Sequence, residues 1–400
     1  MRTTVLLVVS LFIVGVSTAA ADTVDEYVRT HLPTTRIPGV SLAIVQHGRI
    51  VKAAGYGKAS LELDAPATAD TVYEIGSISK QIAANALLLL RDEGKLALDD
   101  PIARYIDGTP VSWAPITVRH VLTHTAGLAD FDTGDIGFSY RREYVVPARA
   151  DGYYWKDGRY EHGEPLRPQV IAANGGVMMN VVDFATWDIA VSQGRLLKPA
   201  TVQEMATPVR LTDGTTVSHG LGWFMDTFNG HRFGAHWGTT VAGHSAVIRR
   251  YDEGVTVIVL GNLNDDGLAV DAISKHIADI YLPGTALAGL KPLPDTHTAE
   301  TAKLKTALAA VASGSDAPGV VNGLGQRLPA VARERLASAL SPSVRLEFLG
   351  DERLTPYHFN TEPAVVRVRR YRATTREWTR YLTIRLAADG TVRGVLVEQP

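Results

Sequence analysis

The sequence predicts an α+β fold, an antiparallel sheet flanked by helices, followed by a second and smaller α+β unit. Three observations carry that expectation. Two strand pairs with hairpin turns, 40–60 and 243–262, lie at either end of the first unit. A leucine-rich helix over 77–93 lies between them. After a proline- and glycine-rich break at 283–298 the pattern restarts, with helical stretches at 299–313 and 325–340 and then three alternating runs.

In chain order, Met1-Arg2-Thr3-Thr4 precedes an apolar run from Val5 to Val16, and Ala19-Ala20-Ala21 follows. A short positive segment, an apolar core and an A-x-A end predict a secretory signal peptide over 1–21. The run is shorter than the roughly 20 residues a spanning helix needs, so no stable membrane span is expected after cleavage. The predicted location is periplasmic or secreted. The 400 residues contain no cysteine, which removes disulfides and a thiol nucleophile. A net charge of -2, with no run of Lys and Arg, argues against nucleic acid as a partner.

"VSLAIVQHGRIVKAAGYGKAS" predicts two strands joined at His47-Gly48. Gly76 and Ser77 then precede the helix that runs to about Glu93, with Gly94 as its left-handed stop. Leu87 to Leu90 sweep most of the circumference at roughly 100° per residue, which predicts a helix buried on all sides. "ITVRHVLTHTAGL" (116–128) predicts a short helix, 180–197 a helix capped by Asn180, and 201–209 a third. The second hairpin turns at Asp252-Glu253-Gly254, and a helix over 271–282 closes the unit. The expected organisation is a first domain over 22–285, a linker over 286–298 and an accessory α+β domain over 299–400 whose last hairpin turns at Asp389-Gly390.

Three places invite chemistry. Ser77 and Lys80 form an S-x-x-K spacing at a helix start, on one face of the first turn. The residues alone leave two readings open. Ser77 is a helix cap with a solvent-facing lysine, or a nucleophile activated by a lysine held neutral beside apolar surface. In the second reading the helix N-terminus offers N–H groups to a developing oxyanion. The second place is His236-Trp237-Gly238, just before a strand-like run, where a glycine would let a substrate lie along the backbone with the Thr239 N–H as a second oxyanion donor, or else marks a bulge beside an incidental histidine. The third is His120 and His124, four apart as metal ligands on a helix would be. Val121 stands where H-E-x-x-H needs glutamate, so buried structural histidines are expected there and no metal or other cofactor. No G-x-S-x-G elbow occurs; "GHSAV" ends in valine.

Taken together, "IPGVSLAIVQHGRI", "YEIGSISKQ", "GKLALDDPIARYI", "ITVRHVLTHTAGL", "RADGYYW", "GGVMMNVVDFATW", "HGLGWF" and "HWGTTVAGHSA" resemble the serine β-lactamase and penicillin-binding-protein-like superfamily. The branch is the one that includes class C β-lactamases, esterases and D-aminopeptidases. The resemblance implies a β-lactamase/transpeptidase-like fold and an acyl-enzyme serine hydrolase acting on a small-molecule or peptide substrate. It implies Ser77 as nucleophile and Lys80 as its base, and it puts His236 and Gly238 on the Lys/His-x-Gly motif, with Thr239 behind them. The family also places a helical subdomain with a Tyr-x-Asn motif after the "HTAGL" stretch. Here only 129–152 separate that stretch from "YYW", and no Y-x-N or S-x-N occurs anywhere in the chain. An internal deletion with its seam near Tyr144-Val145 is the reading, with Tyr140 and Tyr144 as nearby substitutes.

Loss of the tyrosine would remove an acid–base group of a kind worth about 10²–10⁴-fold. The competing reading is therefore an inactive remnant that binds peptidoglycan fragments or β-lactams. Loss of the helical cover is also expected to bare part of the leucine belt and drive self-association. His236, often neutral at pH 7, and Trp237, which has no hydroxyl, predict a weak grip on a substrate carboxylate.

Overall fold

A computed structural model of the chain describes residues 9–128, 146–163, 174–214, 216–241, 243–265, 268–328, 330–353 and 365–398. The expectations for 129–145, including Tyr140, Tyr144 and the seam, lie outside them. The chain divides into two compact units, Met1–Thr207 with His219–Pro283, and Pro208–Ser218 with Gly284–Pro400.

The first unit opens with helix α1 (Val9–Thr35), and the expected cleavage point after Ala21 falls inside it. Beyond that point Val24, Tyr27, Val28 and Leu32 are buried, a helical spacing that makes one apolar face. Strands β1 (Gly39–Gln46) and β2 (Arg49–Ser60) form the expected hairpin, with His47 and Gly48 both at positive φ in its two-residue turn. After β3 (Ala65–Pro66) and β4 (Tyr73–Glu74), a 3₁₀ turn at Gly76–Ile78 leads into α2 (Ser79–Asp92). Gly94, at φ +74, follows its end. Helix α3 (Val118–Leu122) is shorter than predicted and is capped by Thr117.

Next come the hairpin β5 (Tyr153–Lys156) and β6 (Arg159–His162), then β7 (Met178–Met179), which pairs with β4. Helix α4 (Val181–Ser192) is capped by Asn180, as predicted, and α5 (Pro199–Met205) follows. Strands β8 (Val209–Arg210) and β9 (Thr216–Val217) belong to the second unit. The first unit resumes with β10 (Phe224–Phe228), β11 (His231–Thr239), β12 (Ser245–Tyr251), β13 (Val255–Gly261) and α6 (Leu268–Tyr281).

These strands make an antiparallel sheet in the order β10-β11-β12-β13-β1-β2-β3. Alternate residues face opposite cores. Ala43, Val45, Ile248, Ile258 and Leu260 pack with Ala84 and Leu88 of α2 and Phe184 of α4. Leu42, Ile44, Val247, Val257 and Val259 pack with Val24 and Val28 of α1 and with Ile273 and Ile277 of α6. With helices on both faces, β13 is buried at every residue, and its sequence is apolar apart from Thr256. Among the described residues no helix is long and apolar enough to cross a membrane.

The leucine belt departs from expectation. Leu88 is fully buried, but Leu89 and Leu90 are 39% and 37% exposed, so α2 is not covered on all sides. Four consecutive leucines do point around the axis; packing leaves the sector of Leu89 and Leu90 partly open.

The second unit holds α7 (Thr298–Ala312), α8 (Leu324–Arg327) and α9 (Ala330–Ala339). They precede a four-stranded antiparallel sheet, β14 (Arg345–Arg353), β15 (Arg367–Thr374), β16 (Thr379–Leu386) and β17 (Val392–Glu398), paired in that order. Leu304, Leu308 and Val311 of α7 and Leu336 of α9 form its core with Tyr371, Leu382 and Ile384.

Candidate active site

Ser77 sits in the 3₁₀ turn between β4 and α2, half-buried, and Lys80 projects from the first turn of α2. Neither helical segment has a side-chain cap, so the capping reading of Ser77 fails. Lys80 Nζ instead lies 2.9 Å from Ser77 Oγ. It also donates to the main-chain carbonyl of Asn174 at 2.8 Å. A lysine in this position can exchange a proton with the serine hydroxyl directly.

The end of β11 closes against this turn. Strand β10 pairs with β11 only as far as Ala235, so residues 236–239 are not covered by that strand. A Cβ on Gly238 would lie 1.9 Å from the Ile75 carbonyl oxygen and 3.1 Å from the Ser77 nitrogen. One on Gly76, at φ +54, would lie 2.8 Å from the Thr239 nitrogen. Glycine at both positions lets the end of β11 approach the Ser77 turn more closely than any side chain would allow. The sequence suggested that Gly238 makes room for substrate. The structure gives another reason, since its missing Cβ makes room for the turn that carries Ser77.

His236 lies on the α2 side of the sheet and is 3% exposed. Its Nδ1 sits 2.8 Å from the Trp237 carbonyl, which can only accept, so the proton is on Nδ1 and the Nε2 lone pair is left as an acceptor. Burial, with the nearby Lys80 charge adding to it, depresses its pKa to about 3 against the Trp237 hydrogen bond. His236 is therefore neutral at pH 7. Trp237 belongs to the opposite core, and its Nε1 donates to Asp271 Oδ1 at 2.7 Å.

The His120 and His124 pair separates. Helix α3 ends before His124, which has φ +55, so the i, i+4 spacing never lies on one helix. His120 Nδ1 accepts the Thr117 N–H in a capping box, while His124 stacks edge-on against His219 with ring centroids 4.8 Å apart. The expectation of two buried histidines fails, because His120 is half-buried and His124 exposed. The buried one is His219, whose pKa burial lowers to about 4 and whose Nε2 has no partner. No group of three or more metal-ligating side chains occurs among the described residues.

Sequence reasoning missed His219 and Asn174. The first lies in the "HGLGWF" stretch, a visible signal to which no role was given. The second acts through its main chain, which no side-chain pattern reveals.

Set against known proteins, the family profile described as Beta-lactamase matches residues 21–144 and 137–281. Penicillin-binding protein 4* of Bacillus subtilis (strain 168) is 22% identical over 312 aligned residues, which take in 57% of this chain and 69% of that protein. Esterase EstB of Burkholderia gladioli is 36% identical over 101 residues, 23% of this chain and a quarter (25%) of the esterase. The octameric penicillin-binding protein homologue from Pyrococcus abyssi superimposes with a TM-score of 0.54 at 19% identity, covering 91% of this chain and 90% of that one. At that identity the likeness shows a common fold.

Proposed function

The chain belongs to the beta-lactamase family, and from that premise we propose that it is an exported serine hydrolase forming an acyl-enzyme on amide or ester substrates. Ser77 is the nucleophile and Lys80 its base, and the Ser77 and Thr239 N–H groups hold the oxyanion. His236 and Gly238 line the same place. The observation that carries this reading is the 2.9 Å approach of Lys80 Nζ to Ser77 Oγ beside two glycine-permitted backbone contacts.

The substrate type is that of an esterase, a D-amino-acid peptidase or a β-lactamase. A neutral His236, with Trp237 turned to the far side of the sheet, favours uncharged esters and peptides over substrates gripped by a carboxylate. Export rests on the signal pattern at 1–21. Residues 22–285 form the hydrolase domain in this reading, with 286–298 as linker and 299–400 as accessory domain. The exposed Leu89 and Leu90 support association between copies, and light scattering of a clean monomer at high concentration would count against it.

One observation favours the second reading, an inactive binder of peptidoglycan fragments or β-lactams. The chain has no Tyr-x-Asn motif. The family match breaks into two pieces that meet at 137–144, and the 312-residue alignment takes in little more than half of this chain, so dozens of the relative's residues face a gap. Turnover decides between the readings. Hydrolysis of a p-nitrophenyl ester, a D-amino-acid p-nitroanilide and a chromogenic cephalosporin is measured for wild type and Ser77→Ala. The hydrolase reading expects turnover on the ester or the anilide that vanishes in Ser77→Ala, and is overturned by activity that persists in the variant. No turnover with retained binding supports the remnant.

A further inference from the structure

The second serine of "SISK" takes no part in the chemistry above, yet Ser79 is completely buried. It begins α2 without capping it. Its Oγ instead accepts the main-chain N–H of Val177 at 3.1 Å. The Val177 carbonyl accepts the Ile75 N–H at 3.0 Å, so both polar main-chain groups of Val177 are committed to the segment around Ser77. Three residues before Val177, Asn174 presents its carbonyl to Lys80 Nζ at 2.8 Å. Gly175, between them, passes close to Gly76, where even an added Cβ would come within 3.9 Å of the Gly76 carbonyl carbon.

Residues 174–177 thus form a short bridge. It is fixed at one end by Ser79 and holds the lysine at the other. A neutral amine has two N–H donors and one lone pair. Donating one N–H to a fixed carbonyl excludes the staggered arrangement that turns the lone pair to that carbonyl, and one of the two that remain directs it toward the Ser77 hydroxyl 2.9 Å away. If the carbonyl drifts, the amine spreads over all three arrangements and the serine proton meets its acceptor less often.

We propose that Ser79 is a positioning residue for Lys80, acting through the Val177 N–H and the Asn174 carbonyl. The inference rests on the hydrolase reading, in which Lys80 is the base. A purely structural Ser79 would contribute only the ordinary worth of one hydrogen bond, about 1 kcal/mol of stability.

Ser79→Ala, Ser79→Cys and Ser79→Thr separate the two roles. Cysteine nearly preserves the shape but is a poor acceptor, and threonine keeps the hydroxyl. The rate of Ser77 labelling by a fluorophosphonate is followed from about pH 5 to about pH 9, the range in which general bases titrate, with thermal melting alongside. The alanine and cysteine variants are expected to label about 10²-fold more slowly with a displaced pH profile, and threonine to recover most of the rate. A second readout does not depend on labelling. The ¹³Cε titration of Lys80, identified by its loss in Lys80→Arg, moves to lower pH in Ser79→Ala, because losing a carbonyl acceptor disfavours the charged amine. Wild-type labelling with an unchanged Lys80 titration in the alanine and cysteine variants overturns the inference, whatever happens to melting. If wild type itself is not labelled at Ser77, the hydrolase reading fails, and the Lys80 titration alone decides the positioning role.

Discussion

Arg369 in the second unit and Lys80 in the first are both basic side chains turned into the protein, and their surroundings differ in kind. Arg369 is fully buried. Its guanidinium donates to Asp295, Glu300 and Asp351, and also to Thr301 and the Tyr371 hydroxyl, which occupies the donors of the fork. Such an arrangement holds a proton permanently. Lys80 is half-buried, and a serine hydroxyl and a main-chain carbonyl lie within hydrogen-bond reach of its Nζ. In the hydrolase reading, the comparison separates a charge kept for architecture from an amine placed for chemistry.

The largest expected effects fall on those two residues. Lys80→Met should slow fluorophosphonate labelling of Ser77 by about 10²–10⁴-fold while leaving the melting temperature nearly unchanged. An unaltered rate would remove the distinction. Arg369→Leu should do the opposite, leaving labelling intact and costing about 3–5 kcal/mol in denaturant unfolding, because clustered carboxylates lose their counter-charge. Gly238→Ala sits between them. Its Cβ would meet the Ile75 carbonyl at 1.9 Å, so about 1–3 kcal/mol of stability should go together with part of the labelling rate.

A separation in pH tests the same contrast between the two units. His219, His236 and His244 have pKa values lowered by burial to about 4, about 3 and about 4. The unfolded chain binds their protons first, so their neutral burial stabilises fully above the ordinary 6.5 and is lost progressively as pH falls below it. In the second unit Glu300 is lowered chiefly by its hydrogen bond to Arg367, and its contribution is present above the ordinary 4.5 and lost only below that. Amide exchange at pH 5.5 should therefore show β11 and β12 less protected than at pH 7 and β15 unchanged. Equal loss in both would contradict the assignment.

Much of this was legible in the sequence. The hairpin at His47-Gly48, the Asn180 cap and the fully buried β13 follow from turn chemistry and from burial on two faces. The Ser77–Lys80 approach is one of the two readings that their spacing at a helix start leaves open. What failed needed knowledge of partners. The leucines of α2 point around its axis, but only packing decides which sectors are covered. Strand β14 was missed because its register shifts between Phe348 and Gly350, which breaks the alternation a strand would show. The reason for Gly238 lies in a turn about 160 residues earlier in the chain, beyond any local pattern. Asn174 acts through a carbonyl that every residue carries.

Intact mass after incubation with a fluorophosphonate and, separately, with a penicillin tests the central claim most directly, with Ser77→Ala beside wild type. An activated Ser77–Lys80 pair predicts an adduct on wild type that is absent from the variant. A folded wild-type protein that takes up neither reagent would contradict it.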